Sequence, residues 1–165
     1  MLQSVFLTKS LSAWSLEPTF RAIGTPESAF VDSGIAAHFL GQDAARMDEP
    51  GGAAGPLLEN FVAMELARQL SWSEQRARMY HYRTKDQVEV DVVLEIPDGR
   101  VVGVEIKAGA TVRTEHLTGL RNPEKRLGDK FVAGYVLYTG GQTLPFGPKL
   151  RAVPMDALWR LAPDR

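Results

Sequence analysis

The feature that most constrains this chain is the stretch Gln87 to Lys107, QVEVDVVLEIPDGRVVGVEIK, two valine-rich segments around a Pro-Asp-Gly turn. Successive residues of a strand point to opposite faces, so alternation of residue type predicts a β-hairpin. Val88, Val90, Val92 and Leu94 then share one face of the first strand, and Val102, Val104 and Ile106 one face of the second. Pro97 suits the first central position of a type I turn, and Gly99 the left-handed residue of a three-residue loop. Such a loop fixes the register. It sets Val92 opposite Val104, Val90 opposite Ile106, Asp91 opposite Glu105 and Glu89 opposite Lys107. Asp91, Glu105 and Lys107 are thereby expected on one face. Two directly opposed carboxylates destabilise an ordinary sheet, and they raise one pKa unless a cation neutralises the pair. A divalent metal would remove that conflict.

A chain of 165 residues fits a single domain with a sizeable core. It has no cysteine, which excludes disulfides, thiolate zinc sites and cysteine nucleophiles and fits a cytoplasmic protein. His38, His81 and His116 are scattered and show no metal-ligand spacing. No apolar run approaches the ~20 residues of a membrane span, and the start lacks the basic residues of a secretion signal. A net charge of −1 argues against a protein that coats nucleic acid by charge alone.

Residues 1 to 26 show turn residues and no sustained period, and read as an irregular arm or the remnant of a junction. Asp32 or Ser33 is placed to cap a short helix ending at Gly41. Residues 47–55, MDEPGGAAG, read as a flexible loop. A helix follows from near Pro56 to about Trp72, with Leu58, Phe61, Val62, Leu66 and Leu70 as its apolar stripe. Glu59 lies at the border of that stripe and Glu65 inside it. Pairing with an arginine such as Arg68 is the plain structural explanation for either.

Arg76, Arg78, His81, Arg83 and Lys85, interleaved with Met79, Tyr80 and Tyr82, read as an edge strand. It suits a phosphate backbone with aromatic support or a charged strand edge protected from pairing. After Thr111 a helical segment is expected to break near Asn122-Pro123, with a solvated charged face. Phe131 to Tyr138 reads as a central strand buried on both faces. Leu150 to Val153 reads as a last strand, with a helix opening at Pro154. The order predicts a mixed α/β sheet flanked by helices. No GxxxxGK[ST], GxGxxG or GxSxG motif is present.

The order of a helix carboxylate (Glu59), a strand Asp91 and then Glu105-Ile106-Lys107 resembles the core of the PD-(D/E)XK, or restriction-endonuclease-like, nuclease superfamily. More closely, FVDSGIAAHFLG (30–41), LLENFVAMEL (57–66), YRTKDQVEVDVVLE (82–95) and GVEIKAG (103–109) look like the C-terminal domain of unknown function of bacterial and archaeal AAA-type ATPases. Val90 stands where the superfamily name has proline.

This resemblance implies a restriction-endonuclease-like α/β fold, with Asp91 and Glu105 as ligands of Mg²⁺ or Mn²⁺. Lys107 would stand beside the attacking water, and Glu59 would complete a catalytic set. It further implies DNA as a partner and an attached ATPase domain or subunit. Two functional expectations follow: metal-dependent phosphodiester hydrolysis of DNA, or a catalytically inactive interaction or regulatory module in which Glu89 and Lys107 form a cross-strand ion pair. An ordinary charged strand face would instead leave Asp91 and Glu105 fully exposed and remote from Glu59.

Overall fold

The computed structural model describes residues 6–15, 24–47, 49 and 51–160. Its centre is a mixed six-stranded sheet with strand order β3-β4-β5-β6-β8-β7. These strands are β3 (Arg78–Arg83), β4 (Glu89–Glu95), β5 (Val101–Lys107), β6 (Phe131–Tyr138), β7 (Leu144–Pro145) and β8 (Leu150–Pro154). β3, β4 and β5 are antiparallel neighbours, whereas β6 runs parallel to both β5 and β8. The mixed α/β architecture flanked by helices is thus the one the sequence predicts.

Helix α1 (Ser33–Phe39) and the single turn α2 (Ala44–Met47) precede the long helix α3 (Ala54–Trp72), and α4 (Thr118–Leu127) fills the β5–β6 crossover. α1 starts where Asp32 accepts from the Ile35 N–H at 2.9 Å and stops before Gly41 at φ 62°. Both punctuation residues are visible in the sequence. α3 and α4 cover opposite faces of the sheet. Val62, Ala63 and Met64 pack with Val92, Val104, Ile106 and Leu137 on one face, while Leu117 and Leu120 pack with Val90, Val93, Phe131 and Leu150 on the other.

That partition corrects the alternation expected for β4. Val90 and Val92 do not share a face: Val90 faces α4 and Val92 faces α3. The cause is a β-bulge. Tyr80 pairs with Val93 but Tyr82 with Val90, so Asp91 and Val92 together oppose His81. An extra residue shifts the period of two by one, and every side chain before it changes sides.

Three further expectations change. The stretch 1–26 contains β1 (Thr8–Leu11), antiparallel to β2 (Glu27–Phe30), and Trp14 beyond it is buried edge-to-face on Tyr82 at 5.7 Å. Residues 1–5 and 16–23 of that arm lie outside the described residues. Pro123 does not break α4. It lies inside the helix and is buried, while the Tyr82 hydroxyl donates to Asn122 Oδ1 at 2.8 Å. Packing therefore holds the helical course despite the missing N–H. Phe61, expected in the buried stripe, is exposed and lies 5.9 Å from the Trp159 ring. β6 is the central strand the sequence predicts, and a 3₁₀ helix, Met155–Trp159, follows Pro154, whereas the sequence does not predict the turn α2 or the short strand β7, and helix takes in both ends of the expected 47–55 loop.

Candidate functional site

The site forms where β4 and β5 part. The ladder has the register that the turn dictates, from Glu95–Val101 to Val92–Val104, and it ends there. At the next position the Ile106 N–H donates to Asp91 Oδ2 at 2.7 Å. The bulge turns Asp91 into the gap, so its carboxylate takes the place of a main-chain acceptor. Glu105 and Lys107 follow on β5, and Lys107 Nζ donates to Glu105 Oε2 at 3.1 Å. Asp91, Glu105 and Lys107 therefore meet, although a side-chain insertion joins them rather than a continued ladder.

Electrostatics mark the cluster as costly. Glu105 is only 5% exposed. Burial first, and then the Asp91 charge, push its pKa from 4.5 up to about 8. Asp91 is also raised, chiefly by burial, against the opposing effect of the Ile106 N–H. The interaction between the two carboxyls raises Glu105 further and partly offsets the rise at Asp91. Burial works against the charge of Lys107, but Glu105 and Asp91 outweigh it, so its pKa rises and the ammonium persists.

Glu59 reaches the same place from α3. Burial, followed by the charge of Asp91, raises its pKa, while Lys107 lowers it. Glu59 and Asp91 line one cleft of about 190 Å³, together with Asn60 and Ala63 of α3 and Leu11, Glu27, Ser28 and Ala29 of β1 and β2. The four sequence-derived residues are thus brought into one electrostatic neighbourhood. An ordinary charged strand face, with exposed carboxylates remote from Glu59, is not what the fold builds.

The other candidates resolve into structural roles. Glu65 accepts from Arg68, Gln69 and Trp159 Nε1, which satisfies the arginine pairing suggested for it. Glu89 pairs with Arg83 at 2.8 Å, so the cross-strand ion pair of Glu89 with Lys107 is replaced. The basic run on β3 is dispersed. His81 and Tyr82 are buried, Arg83 is paired, and Arg76 and Arg78 line a separate cavity near the Pro97 turn.

Two contributions were missed in the sequence. Asn60 clamps β2: the Phe30 N–H donates to its Oδ1 at 2.7 Å, and its amide donates to the Phe30 carbonyl at 2.9 Å. The only sequence signal was a polar residue beside the apolar stripe. The second is Gly119, in the first turn of α4, which lies against Glu105 and the Glu89 carbonyl. A lone glycine in a helical pattern is the kind of signal that points to close packing.

Among the described residues no three His, Asp or Glu side chains converge to hold a metal by themselves. The residues that could hold an ion are Asp91 and Glu105, whose hard carboxylate oxygens lie where burial opposes keeping both charged. Mg²⁺ typically binds through one or two carboxylates and keeps several waters, so this pair fits Mg²⁺ better than a cation needing a full protein cage.

An α/β domain with a six-stranded mixed sheet and a buried acidic cluster at a strand gap is the class that fold and site define. The chain belongs to the family described as domain of unknown function DUF4143, whose match covers residues 54–158. No curated protein and no solved structure matches. No helix among the described residues is long and apolar enough to cross a membrane.

Proposed function

We propose that this domain is restriction-endonuclease-like and hydrolyses phosphodiesters of DNA with Mg²⁺ or Mn²⁺ at Asp91 and Glu105. One observation carries this reading: a buried carboxylate, Glu105, and a half-buried one, Asp91, share a site with a lysine, an arrangement that burial and mutual repulsion oppose. Folds keep such costs at functional sites. A bound divalent ion would polarise the phosphodiester and lower the pKa of a water.

The chain's own groups supply the rest. Asp91, fixed by the Ile106 N–H, and Glu105, steadied by Lys107, are oriented as ligands before any ion arrives. Lys107 remains protonated and can donate to a water or a phosphoryl oxygen, stabilising charge as it develops. Glu59, held toward its protonated form at the cleft, can exchange a proton there.

Plasmid and linear DNA incubated with the protein in Mg²⁺ or Mn²⁺ test this reading. Nicking or cutting that disappears in Asp91→Ala and Lys107→Ala is expected. No cutting, together with no metal binding by calorimetry, overturns it.

A second reading rests on the 3.1 Å contact between Lys107 and Glu105, in which the lysine already neutralises the carboxylate. On that reading the domain is a silent module serving an attached ATPase. It requires copurification with an ATPase and DNA affinity indifferent to Asp91→Ala.

A further inference from the structure

Helix α4 begins on top of the acidic cluster. A Cβ added at Gly119 would come far inside 3.0 Å of two oxygens, the main-chain carbonyl of Glu89 and Glu105 Oε1. Those atoms belong to the two strands that part around Asp91. Glu89 is two residues before it on β4, and Glu105 carries the carboxyl hydrogen-bonded to it from β5. On either side of Gly119 the helix is anchored by Leu117 and Leu120, both fully buried, so α4 has little freedom to back away. Residue 119 therefore controls how close the helix comes to the strand gap. Lys107 holds Oε2, and Oε1 is the oxygen that Gly119 faces.

We propose that Gly119 is a positioning residue for Glu105: its bare Cα seats α4 against Oε1 and fixes the carboxyl toward Asp91 and Lys107. The consequence for metal binding rests on the function proposed above, whereas the placement of Glu105 does not.

Two measurements on the full chain separate these. The first is a double-mutant cycle in urea between Gly119→Ala and Glu105→Ala. Removing the Glu105 carboxyl relieves one of the two close contacts of the new methyl, the Glu89 carbonyl remaining, so Gly119→Ala should lower the unfolding midpoint less in the Glu105→Ala background. Additive effects overturn the proposal. A Gly119→Ala chain that folds in neither background would assign the glycine to the Glu89 carbonyl alone and would also overturn it. One that folds only with Glu105→Ala supports it.

The second measurement is Mn²⁺ affinity, compared with Val153→Ala, a partly buried change two strands away on β8 that serves as a control for general destabilisation. At least a tenfold loss in Gly119→Ala, with wild-type affinity in the control, is expected; equal affinities in the two variants overturn the proposal. Coupling in the cycle with no Mn²⁺ binding by the wild type would discard the metal reading and keep Gly119 as the residue that places Glu105.

Discussion

Asp91 Oδ2 accepts the Ile106 N–H at 2.7 Å where the β4–β5 ladder ends, so one carboxylate serves both the sheet and the site. Its two duties can be separated by substitution. Asp91→Asn keeps an oxygen acceptor and removes the charge that opposes Glu105, and its stability should stay within about 1 kcal/mol of wild type. Asp91→Ala leaves the Ile106 N–H without that partner and should cost about 1–3 kcal/mol. Urea midpoints compare the two, and equal losses would mean that the hydrogen bond contributes nothing.

Glu105 makes stability depend on pH in an unusual direction. Its folded-state pKa, about 8, lies above the ordinary 4.5. Between these values the folded chain holds a proton that the unfolded chain has released, so stability falls as pH rises from 4.5 toward 8 and levels off above that. Each pKa unit is worth about 1.4 kcal/mol, so the loss is on the order of a few kcal/mol. Unfolding midpoints across this window should show the decline in the wild type and lose most of it in Glu105→Gln.

On the function proposed above, metal binding would reverse that trend. A divalent ion at Asp91 and Glu105 would displace the proton that Glu105 holds below about pH 8, so its stabilising effect would grow with pH. A concentration a hundredfold above Kd stabilises by about 2.7 kcal/mol, a Tm rise of about 5–10 °C for a chain of this size. Mn²⁺ should raise Tm more at pH 8 than at pH 5, and neither rise should survive Asp91→Asn.

Asn60 joins the N-terminal strands to the rest of the fold. Asn60→Ala removes both hydrogen bonds to Phe30 and the 3.1 Å bond to the Ser33 hydroxyl. A loss of about 1–3 kcal/mol is expected. Hydrogen exchange should show the Phe30 amide opening first, ahead of β5 and β6.

What could be read before folding followed from local rules. The hairpin register came from a turn whose geometry is set by Pro97 and Gly99, and β6 from a run of apolar residues too continuous for an exposed strand. Asp91, Glu105 and Lys107 were legible because charges in a valine-rich hairpin conflict with its packing. The bulge at Asp91 was not, because an extra residue depends on what the neighbouring strand presents, here His81 on β3. Pro123 misled for a related reason: a local helix breaker gave way to burial and to a hydroxyl forty residues away. Asn60 and Gly119 act through contacts distant in sequence, and neither residue type declares a partner in advance.

The β1–β2 pair has a bearing on how this chain is compared with others. Leu11, Glu27, Ser28 and Ala29 form part of the cleft wall around Glu59 and Asp91, yet they stand before residue 54, where the family match begins. The acidic centre and its doorway are thus written in different parts of the chain. Two relatives alike over the matched stretch and different ahead of it would share the acidic cluster and differ in the wall of the cleft beside it, so comparison of this cleft among relatives has to include residues that the family match leaves out.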